Sequence, residues 1–501
     1  TAASLELKAT KTAVWCPSGA HAIPPTLPGR RVPTLAVLGA ALKKPGDTEE
    51  APVAAHGAGT ALAEATSRLT ELWAKLQELR QAGLSKQATA ALLRTYAGSA
   101  SQHALRLERA TDEHTRAYDQ QLLTCWSDLL ERPLTEQHLC RLGLPLKLGG
   151  MGAQLASTRR NAAPWSSWAA TLESTARDLG YEVLEDLLQQ LPHLRLELEQ
   201  LRAGLNEQGA EVPPDTTLGA ALKKAGRQRS LVANIQKKTQ KSVLASLDVD
   251  DNATFRTAAG PGAGAFLLYP LDAECELEAP LWAATARRRL GLDHPAASAA
   301  ELQLVSPTCR NRDAQGTLCN AATDNKGTHA AACAPGGGRL RKHGALGRAV
   351  GGLGRRWYSV EPMYEQRIPE LDKVLPTGRL LTAKMDVVLH LLSGRQLIDV
   401  TVRQGAAGSA SARMAASRRD GVPSRTAEQE KHTRYPSRDL VAFAVEGCGR
   451  LGAEARAWLR MGAAGQPEDV QVFELTRAQR VISVAVQGET ARALRASAGL
   501  A

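Results

Sequence analysis

The chain has 501 residues, 43% of them apolar and 23% charged. That excludes a disordered chain and exceeds what one hydrophobic core serves, so two to four domains are expected. Eight cysteines are too sparse for a disulfide scaffold, and no uninterrupted apolar stretch is long enough to span a bilayer as a helix.

The net charge of +11 points to a phosphate polyanion as partner, although a merely basic soluble protein carries the same excess. The first residues, Thr1-Ala2-Ala3, lack Met and any signal-peptide pattern, so a fragment of a longer protein is expected. Residues 12–15 and 34–38 read as short strands, separated by a Pro/Gly-rich turn region at 24–33. Residues 46–60 read as loop. From 62 to 131, Leu69, Leu72, Trp73, Leu76 and Leu79 recur at helical spacing, and two or three helices fit. The glycines of 144–152 must end them. Residues 160–250 read as helical again, with Leu194, Leu198 and Leu201 on one face. Lys223, Lys224, Arg227, Arg229, Lys237, Lys238 and Lys241 form a basic stretch, either a solvated face or a contact to backbone phosphate. The Gly-rich 260–265 run is too irregular for a phosphate-binding loop and reads as a connection.

Cys309-x9-Cys319-x9-His329-x3-Cys333 comes next. Thiolate and imidazole are the donors of closed tetrahedral Zn²⁺ sites, and His-x3-Cys places two of them within about one helical turn. The first gap is longer than a knuckle usually has. Cys309 is therefore one candidate for the fourth ligand, with His343 or water as the alternative.

Residues 385–392 and 396–402 read as paired strands around a Ser393-Gly394 turn. In that register Asp386 opposes Thr401, and Asp386 and Asp399 are diagonal neighbours on one face. Two adjacent carboxylates in an apolar hairpin are costly unless something positive joins them, and a hard cation such as Mg²⁺ does so. Lys431 and Tyr435 stand at i, i+4 on a helix expected to begin near Thr426. Such a lysine could steady the attacking water or the phosphate. Glu361, Glu365 and Glu370 are candidates for a further ligand.

This order of parts resembles the C-terminal part of non-LTR retrotransposon proteins that carry a restriction-like endonuclease. Residues 5–12 are similar to the lysine-containing segment after the polymerase's catalytic Asp pair. Residues 35–39 are similar to the primer grip, and Leu92-Leu93-Arg94-Thr95 to part of the thumb. Residues 144–152 are similar to the LPxxxGGxG motif, and 260–266 and 288–292 to linker segments. The resemblance implies an α+β multidomain chain. Its divisions would be the end of a palm (1–55), a helical thumb (56–155), a helical linker (156–300), a zinc knuckle (301–345), an α/β restriction-endonuclease-like domain (346–475) and a C-terminal tail (476–501).

The resemblance also places the knuckle on Cys309, Cys319, His329 and Cys333, and an Arg-His pair on Arg341 and His343, with Lys342 inserted. The nuclease carboxylates fall on Asp386 and Asp399. The core lysine, displaced to the next helix, is Lys431, with Tyr435 nearby and Thr401 at the usual lysine position. Met385 stands where the family has Pro, and the polymerase's Asp pair is absent, so DNA nicking but no polymerisation is expected. Zn²⁺ and Mg²⁺ are the implied cofactors. Target DNA and retroelement RNA are the implied partners, held by Arg341, His343, Lys237, Lys238, Lys241 and the knuckle, mainly through phosphates. A nuclear location is implied, with neither membrane nor small-molecule substrate. The rivals are a nucleic-acid-binding remnant without catalysis and a host protein using the fold as a scaffold.

Overall fold

A computed structural model describes residues 60–500 apart from 108, 336, 337 and 375. Nearer the start it describes four short strands: β1 Ala13–Val14, β2 Arg30–Arg31, β3 Leu35–Val37 and β4 Ala40–Leu42. β1 pairs parallel with β2, and β3 antiparallel with β4. β1 and β3 fall within the two strand-like pieces of the sequence. The 5–12 segment and the 46–59 loop lie outside the described residues.

Helices dominate from residue 60 to residue 358. They are α1 Thr60–Gln81, α2 Lys86–Leu107, α3 Asp112–Leu130, α4 Glu136–Gly143, α5 Ala156–Arg159, α6 Ala162–Asp178, α7 Leu184–Gln190, α8 Pro192–Gln208, α9 Leu218–Ala225, α10 Gln228–Ser246, α11 Val249–Ala258, α12 Ala279–Leu290, α13 Thr328–Ala332 and α14 Gly338–Tyr358. None of the described helices is long and apolar enough to cross a membrane.

By chain contacts the molecule divides into two compact units. One gathers Thr1–Lys75, Thr95–Leu122 and Gln154–Lys238; the other gathers Leu76–Arg94, Leu123–Ala153 and Thr239–Ala501. The segment read as a linker, 156–300, therefore divides at Lys238. The core of the first unit is helical. Leu198, Leu201 and Leu205 line one face of α8 and bury against Trp165 and Leu172 of α6, Leu187 of α7 and Leu222 of α9. Trp165 closes it by donating Nε1–H to the Ala225 carbonyl at 3.0 Å.

The second unit contains a sheet. In chain order its elements are β5 Met363–Arg367, the short pair β6 Lys373–Val374 and β7 Leu380–Leu381, β8 Lys384–Leu391, β9 Gly394–Arg403, α15 Ala410–Arg418, α16 Val422–Arg434, β10 Leu440–Glu446, α17 Ala453–Ala464 and α18 Gln471–Ala498. The four-stranded sheet runs β10-β9-β8-β5. β5/β8 and β8/β9 are antiparallel, and β9/β10 is parallel, with α16 in the crossover. The chain is thus α+β, as expected.

One face of the sheet, with Val387, Leu389, Ile398, Val400, Phe443 and Val445, packs on Leu346, Val350 and Trp357 of α14, Trp458 of α17 and Ile482 and Val486 of α18. Trp458 stacks tilted on Trp357 at 5.4 Å and edge-on to Phe443 at 5.7 Å. A Cβ on Gly462 of α17 would stand 2.1 Å from the Trp357 ring. Gly462→Ala is expected to cost about 1–3 kcal/mol by overpacking, read as a lowered urea midpoint; an unchanged midpoint would contradict this packing.

The structure corrects the sequence reading at three places. The hairpin turn is Leu392-Ser393, because Leu391 pairs with Gly394. Gly394 has φ +128°, so the glycine is needed just after the turn rather than within it. The register shifts by two, which keeps both aspartates on their shared face. Second, α16 begins at Val422, not near Thr426; Pro423 is tolerated in a first helical turn, where no amide hydrogen is missed. Third, the segment read as a tail is, over 476–498, the body of α18, whose Ala478, Ile482 and Val486 belong to the sheet's core.

Two loop segments of the second unit meet on one side chain. Arg289, buried on α12, donates Nε–H to the Gly150 carbonyl (2.8 Å), Nη1–H to that of Ala263 (2.9 Å) and Nη2–H to that of Leu146 (2.6 Å). The 144–152, 260–266 and 288–292 segments are therefore parts of one knot.

Candidate metal centre and acidic site

Cys309, Cys319, His329 and Cys333 come together, with their donor atoms within 4.8 Å of one another. The nine-residue gap is spanned by a small antiparallel ladder. Thr308 bridges Ala322, Arg312 bridges Leu318, Cys309 N donates to Ala321 O, and Cys319 N to Asn311 O, both at 2.8 Å. Cys309 and Cys319 are diagonal neighbours in that ladder, turned at Gly316 with φ +85°.

α13 brings the other pair. Asp324 accepts the amides of Thr328 (2.7 Å) and His329 (2.6 Å), fixing the helix start, and Cys333 follows its last residue. The contacts within the group are Cys309 Sγ to Cys333 Sγ at 3.7 Å and Cys319 Sγ to His329 Nε2 at 3.5 Å. Burial pushes the Cys333 thiol up to about 12; a bound cation would favour its thiolate instead. It can hold a metal ion, and three sulfurs with one imidazole suit zinc. Cys309, not His343, is the fourth member; Ser497 Oγ donates to its sulfur at 3.1 Å.

His343 belongs to a different site. The β8/β9 ladder is closed by Val387 opposite Ile398, and the same register brings Asp386 opposite Asp399. The sequence reading had them diagonal. Beyond Val387 the Asp386 carboxylate takes over the pairing, with Oδ2 accepting the Val400 amide at 2.6 Å. His343 Nε2, from the first turns of α14, stands 3.1 Å from the same oxygen. On the other strand Lys431 Nζ donates to Asp399 Oδ1 at 2.6 Å.

The surroundings push the two carboxylates in opposite directions. Burial raises Asp399 to about 7, against the pull of Lys431 and with the Asp386 charge adding to the rise. Burial is also the largest influence on Asp386 and opposes its ionisation. The hydrogen bond and charge of His343, with the bonds from Asp399 and the Val400 amide, together outweigh it, and its carboxyl falls below the ordinary value. The same bond raises His343.

Among the three glutamates, Glu365 is the one beside this site. Its carboxylate lies within 4.8 Å of the donor atoms of His343 and Asp386. It faces Asp386 in the β5/β8 register and has φ +55°, a left-handed conformation that a non-glycine residue adopts at a cost of about 1–3 kcal/mol. Glu361 pairs instead with Arg355, and Glu370 with Arg395.

Tyr435 caps α16 rather than continuing it, so it does not share a helical face with Lys431. Its ring is buried with Ile368, Ala383, Val388, Leu397 and Leu440, and burial raises its hydroxyl. That is a packing role beside the site.

A cleft of about 630 Å³ adjoins the acids, lined by Arg339, Lys342, His343, Thr401, Arg403 and Gln404 among others. Arg341 stands 3.5 Å from Glu489. Lys237, Lys238 and Lys241 are exposed on α10, and Lys238 Nζ reaches the Glu207 carbonyl at 2.5 Å. The inserted Lys342 is buried and donates to the Ala331 carbonyl of α13. Burial, with Arg288, Arg339 and Arg341 nearby, lowers it to about 8.

Sequence reasoning left Glu365 open and missed Lys342. No signal in the sequence singled out Glu365 among the three glutamates, and Lys342 was noted only as an insertion. Comparison with protein-family models gives no match, and comparison with curated proteins gives none.

Proposed function

We propose that this chain is the C-terminal part of a retrotransposon reverse transcriptase/endonuclease protein, and that its sheet-bearing part nicks DNA with Mg²⁺. The observation that supports this most directly is the constellation on β8, β9 and α16. Two opposed aspartates share a face, and a lysine from the crossover helix lies 2.6 Å from one of them. Both acid-bearing strands, β8 and β9, are the inner strands of the sheet.

Asp386 and Asp399 would hold the cation, which when bound polarises the phosphodiester and activates water. The remaining work belongs to the side chains. Lys431 keeps a positive charge beside Asp399 and can follow the charge that develops on the phosphate. The Val400 amide and His343 fix the orientation of Asp386. The basic cleft alongside suits the DNA backbone, whose phosphates Arg339 and Arg403 can meet. Zinc in the Cys309, Cys319, His329, Cys333 group would hold the preceding segment folded.

The second reading, a nucleic-acid-binding remnant without catalysis, is favoured by one fact. Both aspartates already have a basic partner, His343 and Lys431, so neither requires a cation for its burial. Nicking of supercoiled plasmid separates the two. Single-strand breaks that need Mg²⁺, stop with EDTA and disappear in Asp399→Ala are expected. Salt-sensitive DNA binding without nicks leaves the remnant reading standing, and absence of both points to a scaffold.

A further inference from the structure

We propose that His343, Glu365 and Asp386 form a mixed nitrogen–oxygen metal site, selective for Mn²⁺ over Mg²⁺. The inference deepens the nuclease reading and rests on the same acidic site. It differs in the donor set, because it brings in an imidazole and a third carboxylate that the aspartate pair does not supply.

The geometry comes from three elements. His343 is fixed on α14, Asp386 is in the middle strand β8, and Glu365 is on the edge strand β5. Their ligand atoms lie within 4.8 Å of one another. Neighbouring donors of an octahedral ion at about 2.1 Å are about 3.0 Å apart and opposite ones about 4.2 Å. His343 Nε2 and Asp386 Oδ2 already stand 3.1 Å apart, so Glu365 is the donor that has to close on them.

The neighbours fit an ion-ready arrangement. Glu365 is exposed and partnered by Lys384 Nζ at 2.8 Å, a surface pair that a divalent ion can displace. Asp386 has only 12% of its side chain exposed, so it is held in place while Glu365 closes from the solvent side. Asp399 remains with Lys431. Mg²⁺ prefers an all-oxygen shell and keeps its waters, whereas an imidazole nitrogen favours first-row transition ions. The thiolate group around Cys319 is poorly suited to Mn²⁺ and takes a single equivalent of zinc, which leaves the nitrogen–oxygen site for Mn²⁺.

The test is a titration of the full, zinc-loaded chain with Mn²⁺, following free ion by electron paramagnetic resonance, then competition with Mg²⁺. One Mn²⁺ at this site is expected to bind at least tenfold more tightly than Mg²⁺. His343→Ala is expected to lose about tenfold in Mn²⁺ affinity with little change for Mg²⁺, removing the preference. Glu365→Gly is the second variant, since glycine adopts φ +55° freely. It is expected to fold at least as stably as the natural chain while also losing about tenfold in Mn²⁺ affinity.

Equal affinities for the two ions, or a preference that survives both substitutions, overturns the site. The readout is binding, so the two readings fail separately. Mn²⁺ bound through His343 without any nicking supports this site and sinks the nuclease, while Mg²⁺-dependent nicking with no manganese preference does the reverse.

Discussion

Arg289→Met is expected to destabilise the second unit by about 3–5 kcal/mol, through three buried carbonyls that lose their shared donor. The guanidinium is the common donor to the carbonyls of Leu146, Gly150 and Ala263, which belong to two chain segments more than a hundred residues apart. A methionine of similar volume fills the space but leaves three buried carbonyls without their donor, each costing about 1–3 kcal/mol if nothing replaces it. Arg289→Lys should rescue little, because an ammonium cannot fan three donors across a plane. Urea unfolding followed by tryptophan fluorescence measures this, and a loss below about 1 kcal/mol would show that the knot is held by its apolar surroundings instead.

The second large effect is expected from removing zinc. Structural zinc contributes on the order of 10 kcal/mol of apparent folding free energy in small sites. Here it would hold the 308–322 ladder against α13, with little apolar core beneath: Ala296, Ala297, Ala330 and the end of α18. A chelator, or Cys319→Ser, should therefore open the segment around residues 306–333 to protease and expose the thiols of Cys309 and Cys333. The outlying Cys140 and Cys448 serve as the internal reference. Protein that retains no zinc after purification yet resists protease equally with and without chelator would refute the assignment.

Much of both sites was legible where chemistry is tied to residue identity. Three thiols and an imidazole in one short stretch can be read directly, and the aspartates were found on the correct shared face because a register error of two preserves faces. The register itself was misread because Gly394 was taken as a turn residue, when its positive φ serves the position just after the turn. What tertiary packing alone decides stayed hidden. Lys342 and His343 are adjacent in sequence, yet one reaches back to Ala331 and the other forward to Asp386. Glu365 lies beside the acids at a left-handed residue that no strand pattern announces. The sequence reading set 476–501 apart as a tail, and the charged and polar Glu474, Arg477, Arg480, Gln487 and Glu489 interrupt the apolar stripe that would have marked α18 as a core helix. All five are buried, and Glu474, for example, is held by Arg356 and the Trp357 indole.

That last helix has a consequence for how the chain acquires its structure. α18 touches the sheet's core through Ile482 and Val486, α12 through Ala491, and the cysteine cluster through Ser497. During synthesis all of these precede it, so the ribosome releases their shared partner after them. Until residues 471–498 emerge, the apolar face carrying Val400, Phe443 and Val445 lacks part of its cover, and the nascent chain is at its most aggregation-prone. A ribosome stalled before residue 471 would hold a chain whose sheet sequence is complete but whose sheet is not yet fully buried. Chaperone binding should therefore peak just before α18 emerges and fall abruptly once it docks.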